Sequence, residues 1–152
     1  MIDIYIHIAG YLFLFAVLGW VVSLITKNVT HVDSMWSIFF VVGYITAMQE
    51  IQLLTYQNTA VFFLLLIWSA RLTAYLSFRN FGSQEDIRYQ EIRKKNEPNF
   101  KFKSLYIIFI FQAVLAMIIS MPLIAVAISS HSFGTLDIVG LGFFLVLSNS
   151  GI

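Results

Sequence analysis

The chain has 152 residues, of which 59 % are hydrophobic and 11 % charged, and its mean hydropathy is +0.84. Soluble domains carry about 25 % charged residues, so there is too little charge here to coat a water-facing surface. A soluble globular domain, a disordered chain and a nucleic-acid binder are excluded, and the long continuous apolar runs speak against a strand barrel, whose runs would be short and alternating.

Five apolar stretches follow in order: Ile4–Ile25, Met35–Met48, Thr59–Phe78, Ser104–Ser129 and Leu136–Leu147. A spanning helix needs about twenty mostly apolar residues. The first, third and fourth stretches meet that length. The second is short unless it begins near Val32, and the fifth is cut off at the chain end. The expectation is an all-α integral membrane bundle: four transmembrane helices, a truncated fifth, and one membrane domain over 1–152. The N-terminus lacks the cationic start of a secretory signal, so the first helix is expected to be retained.

Net charge is +1, but seven of the nine cations lie between Arg79 and Lys103. The positive-inside bias places this basic 79–103 loop in the cytoplasm. Lys27 falls on the same side two helices away. The loops 49–58 and 130–135 carry no Lys or Arg and fall outside with the N-terminus. The sequon Asn28-Val29-Thr30 then faces the cytoplasm and stays unmodified. The host membrane is a bacterial inner membrane or the endoplasmic reticulum.

The cytoplasmic end of the third stretch is the most informative. At about 100° per residue, Trp68, Arg71, Tyr75 and Arg79 share one face. Arg79 sits at the membrane edge. Arg71 lies two turns deeper, where a charge usually faces protein or a wet cavity. Its alternative is to snorkel along lipid. A stripe of this kind suits an anionic group such as a phosphate.

The loop beyond reads Gly82-Ser83-Gln84-Glu85-Asp86-Ile87-Arg88-Tyr89. Ser83 with Asp86 three residues on resembles a capping box, and predicts a short amphipathic helix from Gln84 to Asn96, stopped by Pro98. The run Arg93-Lys94-Lys95 with Lys101 and Lys103 suits anionic head groups at the leaflet surface. Asp33 and Trp36, one turn apart, open the second stretch on the same side as the Arg71–Tyr89 cluster. They read either as an N-cap and a belt residue or as part of one shared site. There is no cysteine, no metal-ligand spacing and no nucleotide-binding glycine motif.

These residues carry a resemblance. Asp33-x-x-Trp36, Trp68-x-x-Arg71-Leu72, Arg79-x-x-Gly82-x-x-Glu85-Asp86-x-Arg88-Tyr89, Phe111-Gln112 and Ser120-Met121-Pro122-Leu123 resemble the domain-of-unknown-function 1295 family, within the steroid 5-alpha-reductase-like superfamily. The likeness covers roughly residues 30 to 125. It implies an NADPH-dependent membrane reductase acting on an activated carbon–carbon double bond of a lipid or steroid-like substrate. It implies that Arg71, Arg79, Glu85, Asp86 and Arg88 surround the cofactor, with the arginines near its phosphates. Asp33, Trp36 and Trp68 would line the pocket, and Tyr75 or Tyr89 would supply a proton. It also implies a C-terminal half that completes the cofactor site. A chain ending at Ile152 is therefore expected to be truncated and not to bind NADPH alone. The alternatives are a membrane methyltransferase of the isoprenylcysteine or phospholipid type, and a non-enzymatic scaffold or transporter subunit. The expected partners are the bilayer and an apolar substrate, with no nucleic acid and no metal.

Overall fold

A computed structural model describes residues 2–51 and 54–129, together with Gly134 and Ile138. All regular structure among them is helical. The long helices are α1 (Ile2–Thr26), α2 (His31–Ile51) and α3 (Tyr56–Asn80). A short polar helix, α4, spans Ile87–Asn96. A last continuous run comprises α5 (Phe100–Ser104), a π-helical segment (Leu105–Ile110) and α6 (Phe111–Ala127). The expected fifth stretch, Leu136–Leu147, falls outside the described residues.

Three helical runs are long and apolar enough to cross a membrane: Ile2–Thr26, Tyr56–Asn80 and Phe100–Ala127. The protein is thus a multi-pass membrane protein. The second apolar stretch is extended at both ends into the 21 residues of α2, about 31 Å at 1.5 Å per residue. That length would cross, but α2 is more polar than α1 and α6. Its place in the bundle accounts for this. It packs against α1, α3 and α6, and buries Ser34, Ser37, Tyr44 and Thr46 among apolar residues. A helix surrounded by protein need not be apolar to satisfy lipid.

The surrounding helices each present a narrow stripe inward. In α1 the buried residues are Ile8, Leu12, Ala16, Gly19 and Ser23, spaced by three or four as one helical face requires. The opposite face, with Phe13, Leu14 and Leu18 exposed, is equally apolar because it meets lipid. In α6 the inward stripe is Ala113, Ala116, Ser120, Ile124 and Ala127. Such small residues let helices approach closely in a membrane. Gly19 serves the same end: a Cβ there would run into the end of the Met35 side chain and lie 3.2 Å from the Phe109 ring. The π-helical segment lets the adjacent Ile108 and Phe109 both turn inward.

The α3 helix starts at a capping box. Asn58 N–H donates to Thr55 Oγ1 at 3.2 Å and Thr55 N–H donates to Asn58 Oδ1 at 2.8 Å. Asn58 is fully buried. Its carbonyl accepts from Tyr44 Oη at 2.9 Å and its Nδ2 donates to the Ala127 carbonyl at 3.5 Å. One residue thus joins the start of α3 and the end of α6 to the interior of α2. Asn58→Ala should cost about 1–3 kcal/mol by stranding buried polar groups, visible as a lower thermal midpoint in detergent.

The two ends of α3 lie about 37 Å apart. With no native cysteine, Ser83→Cys and Tyr56→Cys can be labelled separately in sealed vesicles. The positive-inside assignment expects Ser83→Cys to react only from the cytoplasmic side and Tyr56→Cys only from the other. The reverse pattern would invert the topology.

Candidate functional site

The polar residues gather where α1 ends, α2 begins and α3 ends. The helix predicted from Gln84 begins instead at Ile87, with Asp86 as its N-cap. The reason lies in competing partners. Ser83 Oγ donates to the Arg79 carbonyl at 3.3 Å and so finishes α3 rather than starting α4. Asp86 Oδ1 accepts from the Arg88 N–H at 2.9 Å, and Asp86 N–H donates to Thr30 Oγ1 at 2.9 Å. Glu85 Oε1 accepts from the Val29 N–H at 3.1 Å. The segment before α4 is thereby held extended against the α1–α2 turn. The C-terminal end at Asn96 is as the sequence predicts.

Asp33, in the first turn of α2, is the meeting point. Its Oδ1 accepts from Tyr89 Oη at 2.6 Å, and its Oδ2 accepts from Arg88 Nη2 at 3.0 Å. Arg88 also donates through Nε and Nη2 to Asp86, at 3.1 Å each. Beside this group Arg93 grips Glu85 with two bonds, Nε to Oε2 at 2.8 Å and Nη2 to Oε1 at 2.7 Å. The Arg93 guanidinium lies 4.2 Å from the ring centroid of the buried Phe100. Bidentate pairs of this kind fix geometry as well as energy. The cluster latches α4 to the start of α2.

The electrostatics agree. Burial pushes the Glu85 carboxyl up, but the Arg93 hydrogen bonds, the Val29 N–H and the Arg93 charge together hold it below its ordinary value. The Arg88 hydrogen bonds hold Asp86 down, helped by the charge of Arg79 nearby. Burial, and then the bond to Asp33, push Tyr89 well above its ordinary range, so it stays a neutral donor.

The aromatic candidates meet one helix turn away. Phe40 lies between Trp36 and Trp68, in edge-to-face contacts at 5.5 and 5.8 Å. This links α2 to α3 on the same side as Asp33. Further along α3, Arg71, Tyr75 and Arg79 sit on the exposed surface, Tyr75 being 59 % exposed. The structure therefore brings together Asp33, Asp86, Arg88 and Tyr89, pairs Glu85 with Arg93, and joins Trp36 to Trp68. Tyr75 lies outside the latch. The sequence reading missed Thr30 and Val29 as partners, and assigned Arg93 only to head groups. A backbone N–H and a single hydroxyl carry no signal of distant partners, but Glu85 and Arg93, eight residues apart across a helix start, could have been paired.

The latch has a pH signature. Carboxyls held low stabilise the fold above their unfolded values, about 4.3 for Glu and 3.9 for Asp, and this is lost as pH falls through the lower folded values. Glu85→Gln should cost about 1–3 kcal/mol at pH 7. The gap in thermal midpoint between it and the wild type should close as pH drops below about 4. A gap that persists unchanged in acid would mean the charge of Glu85 is not what holds the segment.

A scan against protein families matches residues 19–149 to the family described as Protein of unknown function (DUF1295). An uncharacterized protein of Schizosaccharomyces pombe is 30 % identical over 147 residues, an alignment that covers 84 % of this chain and 40 % of that relative. The chain thus spans well under half the length of that relative. No solved structure matches. The family match takes in α2, α3, α4 and the whole polar cluster, and the chain belongs to the DUF1295 family.

Proposed function

We propose that this chain is part of a membrane-embedded reductase that takes NADPH at the polar end of the bundle and reduces an activated double bond of a lipid or steroid-like substrate. The observation that carries the reading is convergence. Asp33, Arg88 and Tyr89 come from distant parts of the sequence and meet at one end of an apolar bundle. The Trp36–Phe40–Trp68 stack runs from there to the helix that bears Arg71, Tyr75 and Arg79. An apolar substrate would reach such a site from the bilayer, and a water-soluble cofactor from the loop side.

The residues fit the phosphates of the cofactor in part. Arg71 and Arg79 are exposed on α3, about 12 Å apart along the axis. A guanidinium matches phosphate oxygens bidentately. Arg88 is already bound by two carboxylates, and Glu85 and Asp86 would repel an anion. In this reading those three hold the loop in place, and Arg71 and Arg79 make the phosphate contacts.

NADPH, when bound, supplies the hydride that adds to one carbon of the double bond. The chain must supply the proton for the other carbon. Tyr89 gives its O–H to Asp33, so it serves as a positioning residue. Tyr75 is four residues from both Arg71 and Arg79, one turn along the same helix in each direction. Its Oη would deliver the proton and regain one from water.

NADPH titration with fluorescence readout tests the reading. Saturable binding at micromolar cofactor is expected for the longer Schizosaccharomyces pombe relative, and at least tenfold weaker binding when its residue aligned with Arg71 becomes leucine, since one charge-assisted bond is worth about 1.5–3 kcal/mol. The 152 residues alone should not bind cofactor at that concentration. Failure of the relative to bind NADPH would sink the reading, and selective binding of S-adenosylmethionine would favour the methyltransferase alternative.

A further inference from the structure

The basic residues from Arg88 to Lys103 divide into two groups once the contacts are known. Arg88 and Arg93 are spent on Asp33, Asp86 and Glu85. Lys94 and Lys95 on α4 and Lys101 on α5 are exposed, and Lys103 is half-buried. Their height relative to the bundle is fixed. The latch ties α4 to the first turn of α2. Lys101 and Lys103 lie in the opening turn of the apolar run Phe100–Ala127. Trp20, near the end of α1, donates from Nε1 to the Lys101 carbonyl at 2.8 Å, and tryptophan favours the boundary between hydrocarbon and water. Phe102, between the two lysines, is 71 % exposed, and Phe81 after α3 is 88 % exposed. Exposed rings beside unspent ammonium groups, level with the ends of membrane helices, match a leaflet surface in both polarity and charge.

We propose that α4 and the start of α5 form a docking surface for anionic phospholipid head groups of the adjacent leaflet, recruiting them in preference to zwitterionic ones. The phenyl rings enter the acyl boundary and the four lysines meet the phosphates. This surface is independent of the cofactor reading.

The test uses the purified chain in vesicles of four parts phosphatidylcholine to one part phosphatidylglycerol. Either lipid is brominated in turn, at equal mole fraction, and tryptophan fluorescence is followed, Trp20 being the reporter beside Lys101. Quenching by the brominated anionic lipid should exceed that by the brominated zwitterionic one by roughly two- to fivefold, because each lysine near the surface favours anionic lipid by up to about fivefold. High salt should reduce the excess. Lys94→Gln, Lys95→Gln, Lys101→Gln and Lys103→Gln together should abolish it. Glu91→Gln, which removes an exposed carboxylate from α4, should raise it. Equal quenching in the wild type, an undiminished excess in the fourfold variant, or a fall in Glu91→Gln would overturn the proposal.

Discussion

A hydroxyl in hydrocarbon needs a protein partner, because the bilayer core holds no water to serve as one, and α2 brings several of them into the bundle. Ser37 Oγ donates to the Ser69 carbonyl at 3.2 Å and lies 2.9 Å from Thr73 Oγ1. Thr73 in turn bonds the Ser34 carbonyl at 3.2 Å. Thr46 turns back to the Val42 carbonyl and Tyr44 reaches the Asn58 carbonyl. These groups are tolerable only if α2 is enclosed, and so it sits between α1, α3 and α6. The stripes of small residues on α1 and α6 follow from that demand, since close approach is what excludes lipid from the hydroxyls.

The same rule, applied at the end of the bundle, produces the latch. Asp33 begins α2 at the edge of the apolar region and would be costly there alone. Tyr89 and Arg88 take both of its oxygens, and their own sequence neighbours, Glu85 and Asp86, are drawn to Thr30 and Val29 in the preceding turn. The polar loop is thus ordered by the membrane helix beneath it. At the opposite end of α2, Glu50 is met by His7 Nδ1 at 2.7 Å, so both ends of the central helix carry a carboxylate held by another element.

This arrangement changes how the motif Glu85-Asp86-x-Arg88-Tyr89 is understood. As a string it is dense in donors and acceptors and invites a ligand. Folded, it has Glu85 bound by Arg93, Asp86 and Asp33 bound by Arg88, and Tyr89 bound by Asp33. Its members satisfy one another, and a phosphate would have to compete with carboxylates already in place. On α3, Arg71 and Tyr75 share an exposed surface with Phe63, Ile67 and Phe78. The latched residues and the exposed residues of α3 are therefore different sets.

The order of residues alone sets the solvent and the elements. Long apolar runs in a bilayer have no option but helix, so α1, α3 and the run through α6 were legible, as was the shared side of Asp33 and the basic loop. It did not determine which face of each helix is inside, because α1 and α6 are apolar all round and lipid leaves no polar face to mark the outside. Nor did it settle where α4 starts. Ser83 and Asp86 are both good caps, and the choice fell to Asp86 because Thr30 and Val29, more than fifty residues earlier, stood where they could hold Asp86 and Glu85. Asn58 was the least legible of all. Its capping role is local and could be read from Thr55 nearby, but its bonds to Tyr44 and Ala127 exist only because α2, α3 and α6 pack together there. Local patterns follow from the chain's own backbone. Partners chosen across the bundle follow from packing, which no local pattern encodes.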